Sequence, residues 1–130
     1  QHVNEIISPS LNKGDWVISD RFSGSTLAYQ GYGRKLDIKL IKDLENIATQ
    51  GIYPDITFLL DIPVEESIKR RLGKKDDRME QEGRDFLSHV SLGFKALSKD
   101  NQWKTISALK SKEEIISEIK SEIKKLLKNK

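Results

Sequence analysis

The alternation of two periods constrains this chain more than any other feature. Trp16-Val17-Ile18, closed by Ser19-Asp20, is a short apolar run of the kind buried on both faces of a sheet, and 56–60 is another. Trp103–Ala108 reads as a third, weaker strand. Elsewhere the apolar residues recur every three to four positions. Val3, Ile6, Ile7 and Leu11 form one helical face ending near Gly14, with Pro9 an irregularity inside it. Ile38, Ile41, Leu44, Ile47 and Ala48 predict a helix that stops near Gly51, and Tyr53-Pro54-Asp55 is turn chemistry before the second strand. Pro63 with Glu65 and Glu66 starts a further helix, since proline supplies a fixed φ and the acids meet the positive end of the dipole. That helix should fail around Gly73. Phe86, Val90, Phe94 and Leu97 mark the next helix. Ile116, Ile119, Ile123 and Leu126 mark the last, opened by a Ser111/Glu114 capping box. Helices and strands alternating through short connections imply parallel strands and right-handed crossovers, an open α/β sheet.

Composition removes several classes of function. With no cysteine in 130 residues, disulfide scaffolds, thiolate metal sites and cysteine nucleophiles are excluded. The two histidines, His2 and His89, have no close histidine partner, so the pattern offers no zinc site. No apolar run approaches a membrane span, and no basic segment followed by an apolar core opens the chain, so no membrane role and a cytoplasmic location are expected. Gln1 in place of Met leaves two readings, a processed chain or a fragment. The net charge of +3 comes from the tail: residues 1–109 carry 16 basic and 16 acidic groups, and 110–130 carry seven Lys against four Glu. A helix with a solvated lysine face accounts for that excess, and without interleaved Arg and aromatics it is no nucleic-acid signature.

The informative residues lie at the strand ends, where open α/β sheets bind their ligands. The first run leads straight into Asp20-Arg21, and an arginine there can hold a phosphate with a planar, two-pronged set of donors; the plain alternative is an Asp–Arg ion pair. Ser25, Thr26, Tyr29 and Gln30 follow at helical spacings that let several converge on one side, and a carboxamide carries the donor and acceptor a nucleobase edge needs. Arg70, Arg71, Lys74, Lys75 and Arg78 form a second cluster around Gly73, suited to closing over polyphosphate, or else a solvated loop balanced by Asp76 and Asp77. Asp77-Arg78-Met79-Glu80-Gln81-Glu82 then supplies carboxylates that could position Mg²⁺ or orient the arginines. No Gly-x-Ser-x-Gly elbow occurs, and Gly31-x-Gly33 lacks the rest of a dinucleotide fingerprint.

Asp20-Arg21-Phe22 through Ala28-Tyr29-Gln30-Gly31, with Gly33-Arg34 behind it, resembles the substrate signature of bacterial thymidylate kinases. The 54–61 segment resembles their next core strand, and Asp77-Arg78-Met79-Glu80-Gln81-Glu82 the end of their lid. The resemblance implies a P-loop NTPase-like, three-layer α/β/α fold with a parallel sheet, and transfer of the ATP γ-phosphoryl group to dTMP with Mg²⁺ by a homodimer. It implies that Arg21 grips the dTMP 5′-phosphate, that Ser25, Thr26 and Gln30 reach the thymine edge, and that Tyr29 packs near the sugar. Arg71 and Arg78, helped by Arg70, Lys74 and Lys75, would form a lid over about 70–83, and Glu80 would be linked to the metal. Phe22 stands where Tyr or His is common in the family, and Thr26 where Ser is frequent.

No Gly-x-x-x-x-Gly-Lys-[Ser/Thr] loop occurs in 1–130, although such a loop cradles ATP phosphates. In the family it lies upstream, on a strand between those corresponding to 16–20 and 56–60. The expectation is therefore the C-terminal portion of one nucleoside monophosphate kinase domain, lacking its N-terminal strands, inactive alone and poorly stable as a monomer. The rival is a non-catalytic α/β module that binds a nucleotide or a partner.

Overall fold

A computed structural model of the chain describes residues 1–71 and 83–128, the side chain of Arg71 excepted. Lys74, Lys75, Arg78 and Glu80, and with them most of the expected lid, lie outside the described residues.

The first helix, α1, is wound in two ways: Val3–Ile7 as π-helix and Ser8–Asn12 as α-helix. The change falls at Pro9, which has no N–H to give the Glu5 carbonyl, and the Ser8 N–H reaches back five residues to Val3. Gly14, at φ +82°, ends the helix as expected. Only Val3 and Ile7 of its apolar face are buried; Ile6 and Leu11 are exposed.

The chain then departs from expectation. Trp16-Val17-Ile18 is not a strand, and Ile18 is 94% exposed. A β conformation needs a neighbour for its backbone groups, and among the described residues no strand pairs with this segment. The other two expected strands form. They are β1, Thr57–Asp61, and β2, Trp103–Ser107, paired in parallel with Thr57 opposite Trp103 and Asp61 opposite Ser107. One further bond closes each end, from the Thr57 N–H to the Gln102 carbonyl and from the Ala108 N–H to the Asp61 carbonyl, both 2.8 Å. The protein is thus α/β with parallel strands, helix-rich, and its sheet among the described residues is two-stranded.

The second helix, α2, begins as α-helix over Ser23–Thr26 and continues as π-helix over Leu27–Gly33. Next comes α3, Ile38–Thr49, capped by the Asp37 carboxylate, which accepts from the N–H groups of Lys39 (2.8 Å) and Leu40 (3.3 Å). It ends at Gln50 and Gly51, both left-handed. Its inner side buries Ile41, while Leu40, Leu44 and Ile47 face outward. Helix α4, Val64–Arg71, starts after Pro63 with Glu65 and Glu66 in its first turn. Helix α5 is Gly83–Leu97, and α6 is Lys112–Lys128. The capping box of α6 forms: the Ser111 N–H bonds Glu114 Oε2 at 2.8 Å, and the Glu114 N–H bonds Ser111 Oγ at 3.2 Å.

A cluster of the core lies between α2 and α5, and Ile106 of β2 is buried as well. Ala28, Phe86 and Val90 are buried together, with Tyr29, Leu87, Phe94 and Leu97 packed around them. Two glycines set the close approach: a Cβ on Gly33 would stand 2.7 Å from the Phe86 ring, and one on Gly93 2.7 Å from Tyr32 Cβ. No helix among the described residues is long and apolar enough to cross a membrane.

Candidate functional site

Arg21 follows the unpaired 16–20 segment and takes a left-handed backbone, φ +63°, which is sterically disfavoured for a residue with a Cβ. The Ser19 hydroxyl donates to the Arg21 carbonyl oxygen at 2.8 Å, spanning the turn. The guanidinium carbon lies 5.6 Å from the centre of the Tyr29 ring, over its face, where the ring quadrupole attracts a cation. The plain alternative, an Asp20–Arg21 ion pair, does not form; both residues are exposed, and neither has an ion-pair partner among the described residues.

Tyr29 is held from behind by α5. Its ring meets Phe86 edge-on at 6.1 Å and Phe94 edge-on at 6.3 Å. The Arg34 guanidinium carbon lies over the Phe86 ring, 5.8 Å from its centre. The start of α2 is fixed by a different contact: a Cβ on Gly24 would come within 2.6 Å of the Trp103 indole, so the loop rests directly on the first residue of β2.

Ser25 and Gln30 are half-buried and Thr26 is exposed. The expectation that Ser25, Thr26, Tyr29 and Gln30 converge assumed α spacing. From Leu27 the winding is wider, with the Arg34 N–H bonding the Tyr29 carbonyl at 3.0 Å, and Tyr29 and Thr26 meet different elements. Tyr29 faces α5, whereas the Thr26 hydroxyl lies near the Glu45 carboxyl of α3 and favours its charged form. Burial pushes the Glu45 carboxyl above its ordinary 4.5, and the Thr26 hydroxyl and the Lys42 ammonium pull the other way without cancelling it. Glu45 Oε1 and, one turn on, Thr49 Oγ1 are buried with no hydrogen-bond partner.

Of the basic cluster, Arg70 is described in full. Its Nε bonds Glu66 at 3.4 Å, and its Nη1 donates to the Ala108 carbonyl at 3.2 Å. Ala108 follows β2 and bonds the last residue of β1, so Arg70 sits at the carboxyl ends of both parallel strands. Among the described residues no group of three His, Cys, Asp or Glu could hold a metal ion. Two cavities, of about 390 and about 270 Å³, border β2 and α6, and neither is lined by an expected site residue.

Sequence reasoning missed three contributors: Ser19, the Phe86/Phe94 support of Tyr29, and the Gly24–Trp103 contact. Phe86 and Phe94 were legible as one helix face, but nothing local pointed that face at Tyr29.

Comparison with known proteins follows the same residues. The family described as thymidylate kinase matches residues 1–119. A thymidylate kinase of Prochlorococcus marinus strain NATL1A is 80% identical over all 130 residues, which is 62% of that relative. Thymidylate kinases of strains MIT 9515 and MIT 9313 of the same species are 54% and 52% identical, over 99% and 95% of this chain and 61% and 57% of theirs. The chain thus spans about three-fifths of the length of these relatives.

Proposed function

The chain belongs to the thymidylate kinase family, and from that premise we propose that the full-length protein phosphorylates dTMP to dTDP with ATP and Mg²⁺. The observation that carries the reading is Arg21. Its guanidinium is exposed, has no ion-pair partner among the described residues and rests on Tyr29 inside the substrate signature. A planar cation held in place, with no carboxylate paired to it among the described residues, suits a phosphate ester, which it can bind with two parallel N–H···O bonds.

In this reading Arg21 orients the dTMP phosphate and disperses its charge. A phosphate oxygen then attacks the γ-phosphorus of ATP, the bond to the bridging oxygen breaks, and ADP leaves. The attacking oxygen is already deprotonated near neutral pH, so no general base is required, and positioning with charge neutralisation carries the catalysis. Tyr29 borders the sugar, with Ser25, Thr26 and Gln30 reading the base edge. Arg71 and Arg78, with Arg70, Lys74 and Lys75, cover the transferring group. The described residues form no cage for Mg²⁺, so the ion enters this reading with the ATP phosphates, Glu80 beside it, and no step here depends on it. A homodimer working in the cytoplasm completes the reading.

A coupled ADP-release assay on the full-length gene product, comparing dTMP with dUMP, dCMP and UMP, tests it. A clear preference for dTMP is expected, and equal rates on all four would overturn it.

A further inference from the structure

Arg21 is the exposed arm of the candidate site, yet little around it fixes its backbone. From Trp16 to Arg21 the chain makes no backbone–backbone hydrogen bond among the described residues, and Ser19, Asp20 and Arg21 are all exposed. A left-handed arginine in such a segment should relax to an ordinary φ unless something holds it. One polar bond crosses the turn, from Ser19 Oγ to the Arg21 carbonyl at 2.8 Å. Local bonds of this kind offer the backbone an alternative to a ladder and fix the direction of the carbonyl they engage. With the carbonyl held and the backbone at φ +63°, the Arg21 side chain reaches the Tyr29 ring face on α2.

We propose that Ser19 is a positioning residue for Arg21, its hydroxyl clamping the left-handed turn that presents the guanidinium, already seated on Tyr29, to the substrate phosphate. The bond touches no substrate atom. Its effect is preorganisation: the phosphate meets an arginine whose backbone and stacking partner are set before binding. Threonine at 19 keeps the hydroxyl; alanine removes it and changes nothing buried.

The proposal rests on the phosphate-gripping role of Arg21, so the experiment separates the two. Steady-state kinetics with dTMP varied are measured on the full-length gene product and on Ser19→Ala, Ser19→Thr, Arg21→Lys and the Ser19→Ala/Arg21→Lys double variant. Ser19→Ala should lower kcat/KM for dTMP about tenfold, the order of one lost net hydrogen bond, with KM for ATP unchanged. Ser19→Thr should restore most of that loss. In the Arg21→Lys background Ser19→Ala should cost less than about twofold, because there is no guanidinium left to aim. A Ser19→Ala enzyme within twofold of the parent, or an undiminished loss in the Arg21→Lys background, overturns the clamp while leaving the role of Arg21 standing. An Arg21→Lys enzyme as active as the parent overturns both.

Discussion

From Leu27 to Gly33 the signature helix is locked against α5 by Ala28, Phe86 and Val90, at a separation only Gly33 and Gly93 permit. From Trp16 to Arg21, the stretch that leads into the same signature, the backbone makes no backbone–backbone hydrogen bond among the described residues and Ile18 stands in water. The difference follows from the range of the interactions each region needs. A helix closes its own hydrogen bonds and requires only one apolar face to be covered, which α5 supplies. A strand closes none of its own, so an apolar composition alone cannot hold it. The candidate site straddles the two regions, with Tyr29 on the locked side and Arg21 on the open side, joined by one cation–π contact of 5.6 Å.

The largest expected effect removes the link itself. Arg21→Ala in the full-length gene product deletes a charge-assisted phosphate contact, and kcat/KM for dTMP should fall by about 10³ or more. A rate near the parent's would show that the open side contributes nothing to turnover. On the locked side, Phe86→Ala should destabilise the same protein by about 3 kcal/mol or more, read from urea unfolding, since the ring fills the space between α2 and α5. It should also raise KM for dTMP, because Tyr29 loses one of its two edge contacts. Destabilisation below about 1 kcal/mol would mean that the α2–α5 core is not where this molecule is held together.

The open side can be probed by Ile18→Asn in two settings. In the 130-residue chain Ile18 is 94% exposed, and the substitution should change stability by less than about 0.5 kcal/mol. If a strand lies between 16–20 and β1 in the full-length product, as the resemblance implies, the same change should cost about 2 kcal/mol there. Equal, small effects in both settings would mean that 16–20 never joins a sheet.

The same division decided what could be read in advance. Pro63 with two acids, the Ser111/Glu114 box and Gly14 act on their immediate neighbours, and each does what its local chemistry requires. Strand β1 was legible to within one residue because the apolar run 56–60 is bounded by turn residues, and its partner β2 is present. Trp16-Val17-Ile18 has equally good strand composition and fails, because pairing is a property of two segments and composition describes one. Within the site, the chemistry of Arg21 and Tyr29 was legible but their arrangement was not. It depends on a left-handed residue, a π-wound turn and two phenylalanines more than fifty residues downstream. Glu45 was read only as one position of an amphipathic helix, and its contact with Thr26 depends on how α3 lies across α2.

That contact carries the smallest expected effect, and one of definite sign. Burial places the folded-state pKa of Glu45 above its ordinary 4.5, so between those two values the folded protein binds more protons than the unfolded chain. Stability from this group therefore falls as pH rises through that window and stays lower at neutral pH, the reverse of the usual carboxylate. Glu45→Gln keeps an acceptor for Thr26 and removes the ionisation. The variant should be slightly more stable than the parent at pH 7, with the gap closing as pH falls below 4.5. Urea unfolding of both proteins at pH 7, 5.5 and 4 tests this. A gap that widens on acidification would mean that the ionised carboxylate is favoured in the fold. It would then be paired with a cation on the open side rather than buried against the locked one.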